Sequence, residues 1–149
     1  MKVMRTKSGK QKGFSLIEIM VVLVIIGLLM SIVGPKVMGV LGQGYKQKTR
    51  ADLKNFQSAL KMYKVENFTY PTTEQGLDAL VNKPSTSPEP RNYPQGGYMD
   101  SIPKDAFGND YQYLSPADSH PYDIYTLGAD GLAGGVDENA DVSVWDEVN

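Results

Sequence analysis

Two stretches of the sequence combine residue types and spacings that could do chemistry. The first is Gly13-Phe14-Ser15-Leu16-Ile17-Glu18, in which a carboxylate stands at the start of an apolar run. The second is residues 127–141, called the acidic loop below, which combines Asp130, Asp137 and Asp141 with four glycines between positions 128 and 135. The chain has no cysteine, which removes thiol nucleophiles and thiolate metal ligands. Because it also offers no nucleophile–base pair and no phosphate-binding loop, we predict that it is not an enzyme.

Residues 14–34 have the composition and length of a membrane-spanning helix. No charged side chain occurs between Ile19 and Val33. At a rise of about 1.5 Å per residue this segment would be roughly 32 Å long, which matches the roughly 30 Å hydrocarbon core of a bilayer. Glu18 lies one turn inside it, where a charge costs at least about 2.5–3.5 kcal/mol. We therefore expect Glu18 to have a partner.

The residues before this helix predict its orientation. Residues 1–13 contain Lys2, Arg5 and three further lysines but no acid, so they should stay in the cytoplasm while the rest of the chain lies outside. No A-x-A-like cleavage triplet follows Val33, whereas a small residue, Gly13, precedes the helix. A cut there would divide the chain into a leader at 1–13, a retained transmembrane helix at 14–34 and a domain at 35–149 on the outer side of the membrane.

The stretch from Gly13 to Glu18 resembles the processing signal of type IV pilins and of the pseudopilins of type II secretion. This resemblance implies that a prepilin peptidase cleaves after Gly13 and N-methylates Phe14. It also implies an assembly role for Glu18, which could neutralise the new α-amine on Phe14 of a neighbouring copy. The alternative is that Glu18 only complements the positive N-terminus of its own helix.

The rest of the chain predicts a small α+β domain. Leu53, Phe56, Leu60 and Tyr63 repeat with helical spacing and should face a core. We expect this helix to end between Asn67 and Pro71, and a capping-box pattern at Thr72 and Gln75 predicts a short helix through about Val81. An irregular connection should cover 82–103, and alternating residues predict strands at 111–114, 122–127 and 142–145. His120, in the turn between the first two strands, receives no catalytic role.

Charge disfavours a nucleic-acid partner. The whole chain has 15 basic and 17 acidic residues, and removal of the five basic residues of the leader leaves a side-chain net charge of 10 − 17 = −7. No lysine or arginine follows Tyr111. Such an acidic end is typical of a solvated surface or of a cation site.

Two further strings narrow the resemblance to the major pseudopilins of type II secretion, namely Tyr70-Pro71-Thr72-Thr73-Glu74-Gln75-Gly76-Leu77 and Pro103-Lys104-Asp105-Ala106-Phe107-Gly108. The resemblance implies a type IV pilin-like fold, with a long N-terminal helix packed on a small antiparallel sheet. It implies a structural subunit that polymerises into a periplasmic fibre and drives export of folded proteins across the outer membrane. The protein would cross the bacterial inner membrane once, with its N-terminus cytoplasmic and its C-terminal domain periplasmic. Its partners would be copies of itself, minor pseudopilins, prepilin peptidase and the inner-membrane assembly platform.

Two other functions remain as alternatives. A type IV or competence pilin would form a surface fibre, but the missing cysteines and the 70–77 string argue against it. A membrane-anchored periplasmic enzyme ranks lower, because no catalytic constellation is present.

The composition of the acidic loop leaves two interpretations open. Carboxylates with flexible glycines suit calcium, which takes six to eight oxygens, but they also suit an ordinary acidic loop. The string Leu127-Gly128-Ala129-Asp130-Gly131 resembles the calcium loop of the major pseudopilins. This implies Asp130 and Asp137 as side-chain ligands, the Leu127 carbonyl as another, and Asp141 as a further one. The calcium would be structural and would hold the last strand in place, as a disulfide does elsewhere.

Overall fold

The computed structural model describes residues 13–146. Residues 1–12, which make up most of the predicted leader, lie outside the described residues, as do residues 147–149. The chain forms two compact units, of which the first ends at Val40 and the second begins at Leu41. Helix α1 runs from Leu16 to Asn67, and Pro35 lies within it.

The end of α1 lies where the sequence predicts it. Phe68 adopts a left-handed backbone conformation, with φ of 64°, and its N–H donates to the Lys64 carbonyl at 2.8 Å. This arrangement is a common way to close the last turn of a helix. The Asn67 side chain is buried and donates to the Tyr63 carbonyl and to the Tyr98 hydroxyl. The helix end is therefore tied to the irregular connection that contains Tyr98.

The segment after α1 corrects one prediction. The capping box forms, because the Gln75 N–H donates to Thr72 Oγ1 and the Thr72 N–H donates to Gln75 Oε1. A short 3₁₀ helix, Leu77–Leu80, follows it, so the predicted helix does end close to Val81, but it begins only after Gly76, later than the capping box predicts. The reason is Gly76, whose φ of 62° interrupts the right-handed turn.

Three short antiparallel strands form the sheet. They are β1, Gln112–Leu114, β2, Asp123–Thr126, and β3, Val142–Ser143, in the order β1-β2-β3. All three strands were predicted, but β3 is shorter than the predicted 142–145. Its end is fixed by Asp146, whose Oδ2 accepts the Ser143 N–H at 2.6 Å and whose N–H donates to the Ser143 carbonyl.

The core lies between α1 and the sheet and confirms the predicted face of the helix. Phe56 and Leu60 are completely buried. The Phe56 ring meets the Tyr111 ring edge-on at 5.2 Å, and the buried Tyr113 hydroxyl donates to the Pro71 carbonyl. The architecture is therefore α+β, as predicted.

The segment that precedes β1 packs on α1. The Phe107 ring lies 4.8 Å from the Tyr45 ring. The Tyr111 hydroxyl donates to Asp52 Oδ2, which also pairs with Lys48 at 2.6 Å. These contacts position the segment that carries Asp105.

Candidate functional site

The predicted processing signal, Gly13 to Glu18, spans the start of α1. Gly13 and Phe14 are exposed and precede the helix. Ser15 precedes the first helical residue, and its N–H donates to Glu18 Oε2 at 3.2 Å. A glutamate that reaches back to the residue before the helix is half of a capping box. The structure therefore shows Glu18 in the local role that the sequence left as the alternative.

The apolar residues that follow are exposed. Val24 and Met30, for example, have 71% and 65% of their surface accessible. The segment Leu16–Lys36 is long and apolar enough to cross a membrane. A large exposed apolar surface of this kind marks a site of contact with a membrane or with another protein.

The acidic loop folds back on itself. The Ala129 N–H donates to the Glu138 carbonyl at 2.8 Å, which joins the arms that carry Asp130 and Asp137. Gly128 packs so tightly on Asn139 that a Cβ at Gly128 would lie 2.6 Å from the Asn139 carbonyl carbon. Gly135 packs against the Asn139 carbonyl oxygen in the same way. Glycine is therefore needed at both positions for the two arms to close.

The predicted ligands lie on this closed loop. Asp130, Asp137 and Asp141 are exposed. Asp130 Oδ1 accepts the Leu132 N–H, and Asp141 Oδ2 accepts the Gly134 N–H at 2.9 Å. Asp137 adopts a left-handed conformation, with φ of 56°, which is uncommon for a residue other than glycine.

A metal at this loop would need main-chain oxygens. Among residues 13–146, no three His, Cys, Asp or Glu side chains come together in a group that could hold a metal ion. The structure thus does not gather Asp130, Asp137 and Asp141 into a three-carboxylate cluster. Two carboxylates, carbonyl oxygens and water still fit the chemistry of calcium, which accepts all three kinds of oxygen.

A buried carboxylate behind the acidic loop was missed by the sequence analysis. Asp105 has only 4% of its surface exposed, and its Oδ1 accepts the N–H groups of Phe107 and Asn109 at 2.9 and 2.7 Å. Its Oδ2 accepts the hydroxyl of Thr126, the last residue of β2, at 2.5 Å. The available sequence signal was the string Asp105-Ala106-Phe107-Gly108-Asn109, because aspartate commonly bonds to main-chain N–H groups of a following turn.

The network around Asp105 continues into the acidic loop. Thr126 Oγ1 also accepts the Gly128 N–H at 3.3 Å, and Asn109 Nδ2 donates to the Gly128 carbonyl at 2.9 Å. Both polar main-chain groups of Gly128 are thus bonded to residues that Asp105 contacts.

The end of the described chain is also held by aromatic contacts. Trp145 Nε1 donates to the Tyr122 carbonyl at 2.7 Å, and the Trp145 ring stacks on His120 with centroids 4.2 Å apart. Burial raises the pKa of Tyr113 and of Tyr122 above the usual value for tyrosine. These tyrosines therefore remain uncharged in the core at moderately alkaline pH.

Comparison with known proteins settles the family. The model of "Type II secretion system (T2SS), protein G" matches residues 36–145, and that of the "Prokaryotic N-terminal methylation motif" matches residues 8–34. The chain belongs to the type II secretion protein G family.

Relatives and a solved structure agree with this assignment. The "Type II secretion system core protein G" of Vibrio cholerae is 53% identical over 139 residues, which are 93% of this chain and 94% of the relative. The protein of the same name from Pseudomonas aeruginosa is 50% identical over 137 residues, 92% of this chain and 96% of the relative. The crystal structure of the major pseudopilin from the type 2 secretion system of enterohaemorrhagic Escherichia coli matches with a TM-score of 0.66 and 45% identity. The match covers 74% of this chain and 95% of the chain in the crystal structure.

Membership in the protein G family confirms several predictions. The pseudopilin prediction is supported over the type IV or competence pilin, and the family consists of structural subunits and not of enzymes. The apolar helix and the family together indicate a membrane-anchored component of type II secretion. The match at 8–34 includes Gly13, Phe14 and Glu18, but their roles, and those of the acidic-loop ligands, remain predictions.

Proposed function

We propose that this chain is the precursor of the major structural subunit of a type II secretion pseudopilus. In this proposal the processed subunit polymerises through its apolar helix into a periplasmic fibre that drives export of folded proteins across the outer membrane. The observation that carries the proposal is an exposed apolar helix on a member of the protein G family. Outside the lipid such a surface is stable only if other apolar surfaces cover it, and copies of the same helix would do so.

Processing would precede assembly. A prepilin peptidase would remove residues 1–13 and methylate Phe14, and the chain would then be a single-pass protein of the inner membrane. Its N-terminus would be cytoplasmic before processing, and the domain at 35–149 would be periplasmic. The basic leader supports this orientation. The assembly platform in the inner membrane and the minor pseudopilins would be its other partners.

Mass measurement tests the processing step. After co-expression with a prepilin peptidase, the protein should lose residues 1–13 and gain one methyl group. A Gly13→Val variant should retain the leader, whereas Gly27→Val, in the same apolar segment, should be processed normally. A mature protein cut after the apolar helix would contradict the proposal.

Glu18 would have two roles at different stages. In the single chain its carboxylate caps the Ser15 N–H. In the fibre it would neutralise the Phe14 α-amine of a neighbouring copy, which would remove two uncompensated charges from an apolar environment.

A Glu18→Gln variant separates these roles, because glutamine can still cap the helix but carries no charge. We expect Glu18→Gln to be processed normally but to assemble poorly, as measured by cross-linking between copies in cells that contain the secretion system. Glu18→Ala removes both functions and serves as the comparison. Normal assembly of the glutamine variant would show that capping alone is sufficient.

The acidic loop would bind calcium as a structural ion. Asp130 and Asp137, the Leu127 carbonyl and Asp141 would supply oxygens, and the bound ion would offset the repulsion between the carboxylates. The already joined arms of the loop and the left-handed Asp137 support this part of the proposal. The described residues contain no disulfide. Bound calcium would hold the two arms of the loop together in place of one.

Chelation tests the calcium proposal. Addition of a chelator to the full chain in detergent should lower the midpoint of thermal unfolding, and calcium, but not magnesium, should restore it. Asp130→Ala should abolish this response. Asp118→Ala, in the exposed turn between β1 and β2, should leave it unchanged. An unfolding midpoint that does not respond to the chelator would identify the segment as an ordinary acidic loop.

A further inference from the structure

The Gly128 N–H and the Leu127 carbonyl belong to the same peptide unit. A trans peptide is planar, so its N–H and C=O point in opposite directions. Whatever fixes the Gly128 N–H therefore also fixes the direction of the Leu127 carbonyl. In the structure this N–H donates to Thr126 Oγ1, and the planarity of the peptide therefore directs the Leu127 carbonyl away from that oxygen.

The Thr126 hydroxyl is itself oriented by a buried carboxylate. It is almost completely buried, with 2% of the Thr126 surface exposed, and it donates to Asp105 Oδ2 at 2.5 Å. Because the hydroxyl hydrogen is committed to Asp105, the oxygen lone pairs remain available for the Gly128 N–H. Asp105 is in turn held by the N–H groups of Phe107 and Asn109.

The carbonyl of Gly128 is held from the same side. Asn109 donates its side-chain amide to this oxygen at 2.9 Å, while its main-chain N–H donates to Asp105. The two consecutive peptides on either side of Gly128 are thus both anchored to a network centred on Asp105. Neither can rotate freely without the loss of a hydrogen bond.

We propose that Asp105 and Thr126 are positioning residues for the acidic loop, which orient the Leu127 carbonyl toward the calcium ion without binding the ion themselves. This inference rests on the proposed function, in which the loop binds calcium. Residues that orient metal ligands commonly change metal affinity by about 10–100-fold when they are replaced. The network therefore makes calcium affinity depend on a carboxylate in another segment of the chain.

Calorimetric titration of the full chain in detergent with calcium chloride tests this role. Thr126→Val removes the hydroxyl and should raise the Kd about tenfold or more, whereas Thr126→Ser keeps the hydroxyl and should bind like the wild type. Asp105→Asn, a substitution of similar size, should raise the Kd to a similar extent. Thr73→Val is the matched control, because the Thr73 hydroxyl likewise donates one hydrogen bond and accepts another, but both are with Ser115. It should leave the Kd unchanged even where it lowers thermal stability.

Amide hydrogen exchange in the presence of a chelator provides a readout that does not need the ion. Thr126→Val and Asp105→Asn should accelerate exchange of the Gly128 and Ala129 amides, and Thr73→Val should not. Calcium affinity equal to that of the wild type in Thr126→Val and Asp105→Asn would overturn the inference.

The two proposals fail in different ways. If the wild type does not bind calcium, the calcium proposal and the ligand-orienting role both fail. Hydrogen exchange then decides whether Asp105 and Thr126 position the loop at all. Faster exchange in Thr126→Val and Asp105→Asn supports this role, and unchanged exchange overturns it.

Discussion

Replacement of Gly128 by alanine tests whether the closed form of the acidic loop stabilises the domain. The new Cβ would lie 2.6 Å from the Asn139 carbonyl carbon and 2.8 Å from its Cα. Ordinary contact between carbon atoms requires about 3.5–4.0 Å, so the two arms must separate by about 1 Å. That separation would break or lengthen the hydrogen bond between Ala129 and Glu138.

Gly131→Ala is a matched control for this experiment. Gly131 has φ of +66° and Gly128 has φ of +69°, so both alanines suffer the same left-handed strain. This strain costs about 1–2 kcal/mol in each variant. A Cβ at Gly131, however, would meet only Asn109 Nδ2 at 3.9 Å. The difference between the two variants therefore isolates the cost of forcing the arms apart.

The expected difference follows from the clash. Overpacking of this kind costs about 1–3 kcal/mol, so Gly128→Ala should lower the free energy of unfolding by that amount more than Gly131→Ala does. For a domain of this size each kcal/mol corresponds to about 4 °C in the unfolding midpoint. Thermal unfolding of the full chain in detergent, with a chelator present, can be followed by the fluorescence of Trp145, the single tryptophan. Equal midpoints for the two variants would refute the claim that tight closure of the arms contributes to stability.

Three further predictions concern the domain itself. Phe56→Ala should lower the free energy of unfolding by about 3–5 kcal/mol, measured by urea denaturation, because it leaves a cavity in a fully buried site; Phe68→Ala, at a site 71% exposed, should change it little. Thr72→Ala should cost about 1 kcal/mol in the same assay through loss of the capping box. The raised pKa values of Tyr113 and Tyr122 mean that the unfolded chain loses these protons first. Stability should therefore be intact below about pH 10 and fall above it, and a urea midpoint that stays constant to about pH 11.5 would contradict this.

Periodic local patterns made most of the fold predictable. Leu53, Phe56, Leu60 and Tyr63 recur with helical spacing and lie on the buried face of α1, since a helix has to cover its apolar stripe. The strands were recognisable for a similar reason, because burial alternates along β2. The end of β3 was not recognisable from the sequence, because it depends on a hydrogen bond from the Ser143 N–H to the Asp146 side chain.

One local pattern was misleading. The capping box at Thr72 and Gln75 is present, but a capping box only starts a helix. Whether a helix follows directly depends on the next residues, and the left-handed conformation of Gly76 delays the helix to Leu77–Leu80. Glycine has no side chain that would forbid this conformation, so the sequence alone does not decide between the two outcomes.

The candidate site was only partly predictable. The acidic loop was recognisable from its carboxylates and glycines, but the contact between its arms depends on the approach of Gly128 to Asn139. The role of Asp105 was not recognisable, because its bond to Thr126 joins residues 21 positions apart in sequence. Such a contact exists only once the fold brings the two segments together. The structure of a single chain is limited in turn for Glu18. Its hydrogen bond to Ser15 lies within one chain and does not indicate which groups Glu18 would contact in an assembly.

The two edges of the sheet have a consequence for a protein that we propose to be concentrated into a polymer. β1 pairs with β2 over three residues and β3 pairs over two, so each edge offers very little main chain to a strand from another molecule. Long, flat edges are the usual starting points of amyloid-like aggregation. Short edges, with Asp146 bonded to the Ser143 N–H, disfavour this route even at the high local density of a fibre. In the proposed fibre, association would therefore take place through the helices, without a change in the sheet.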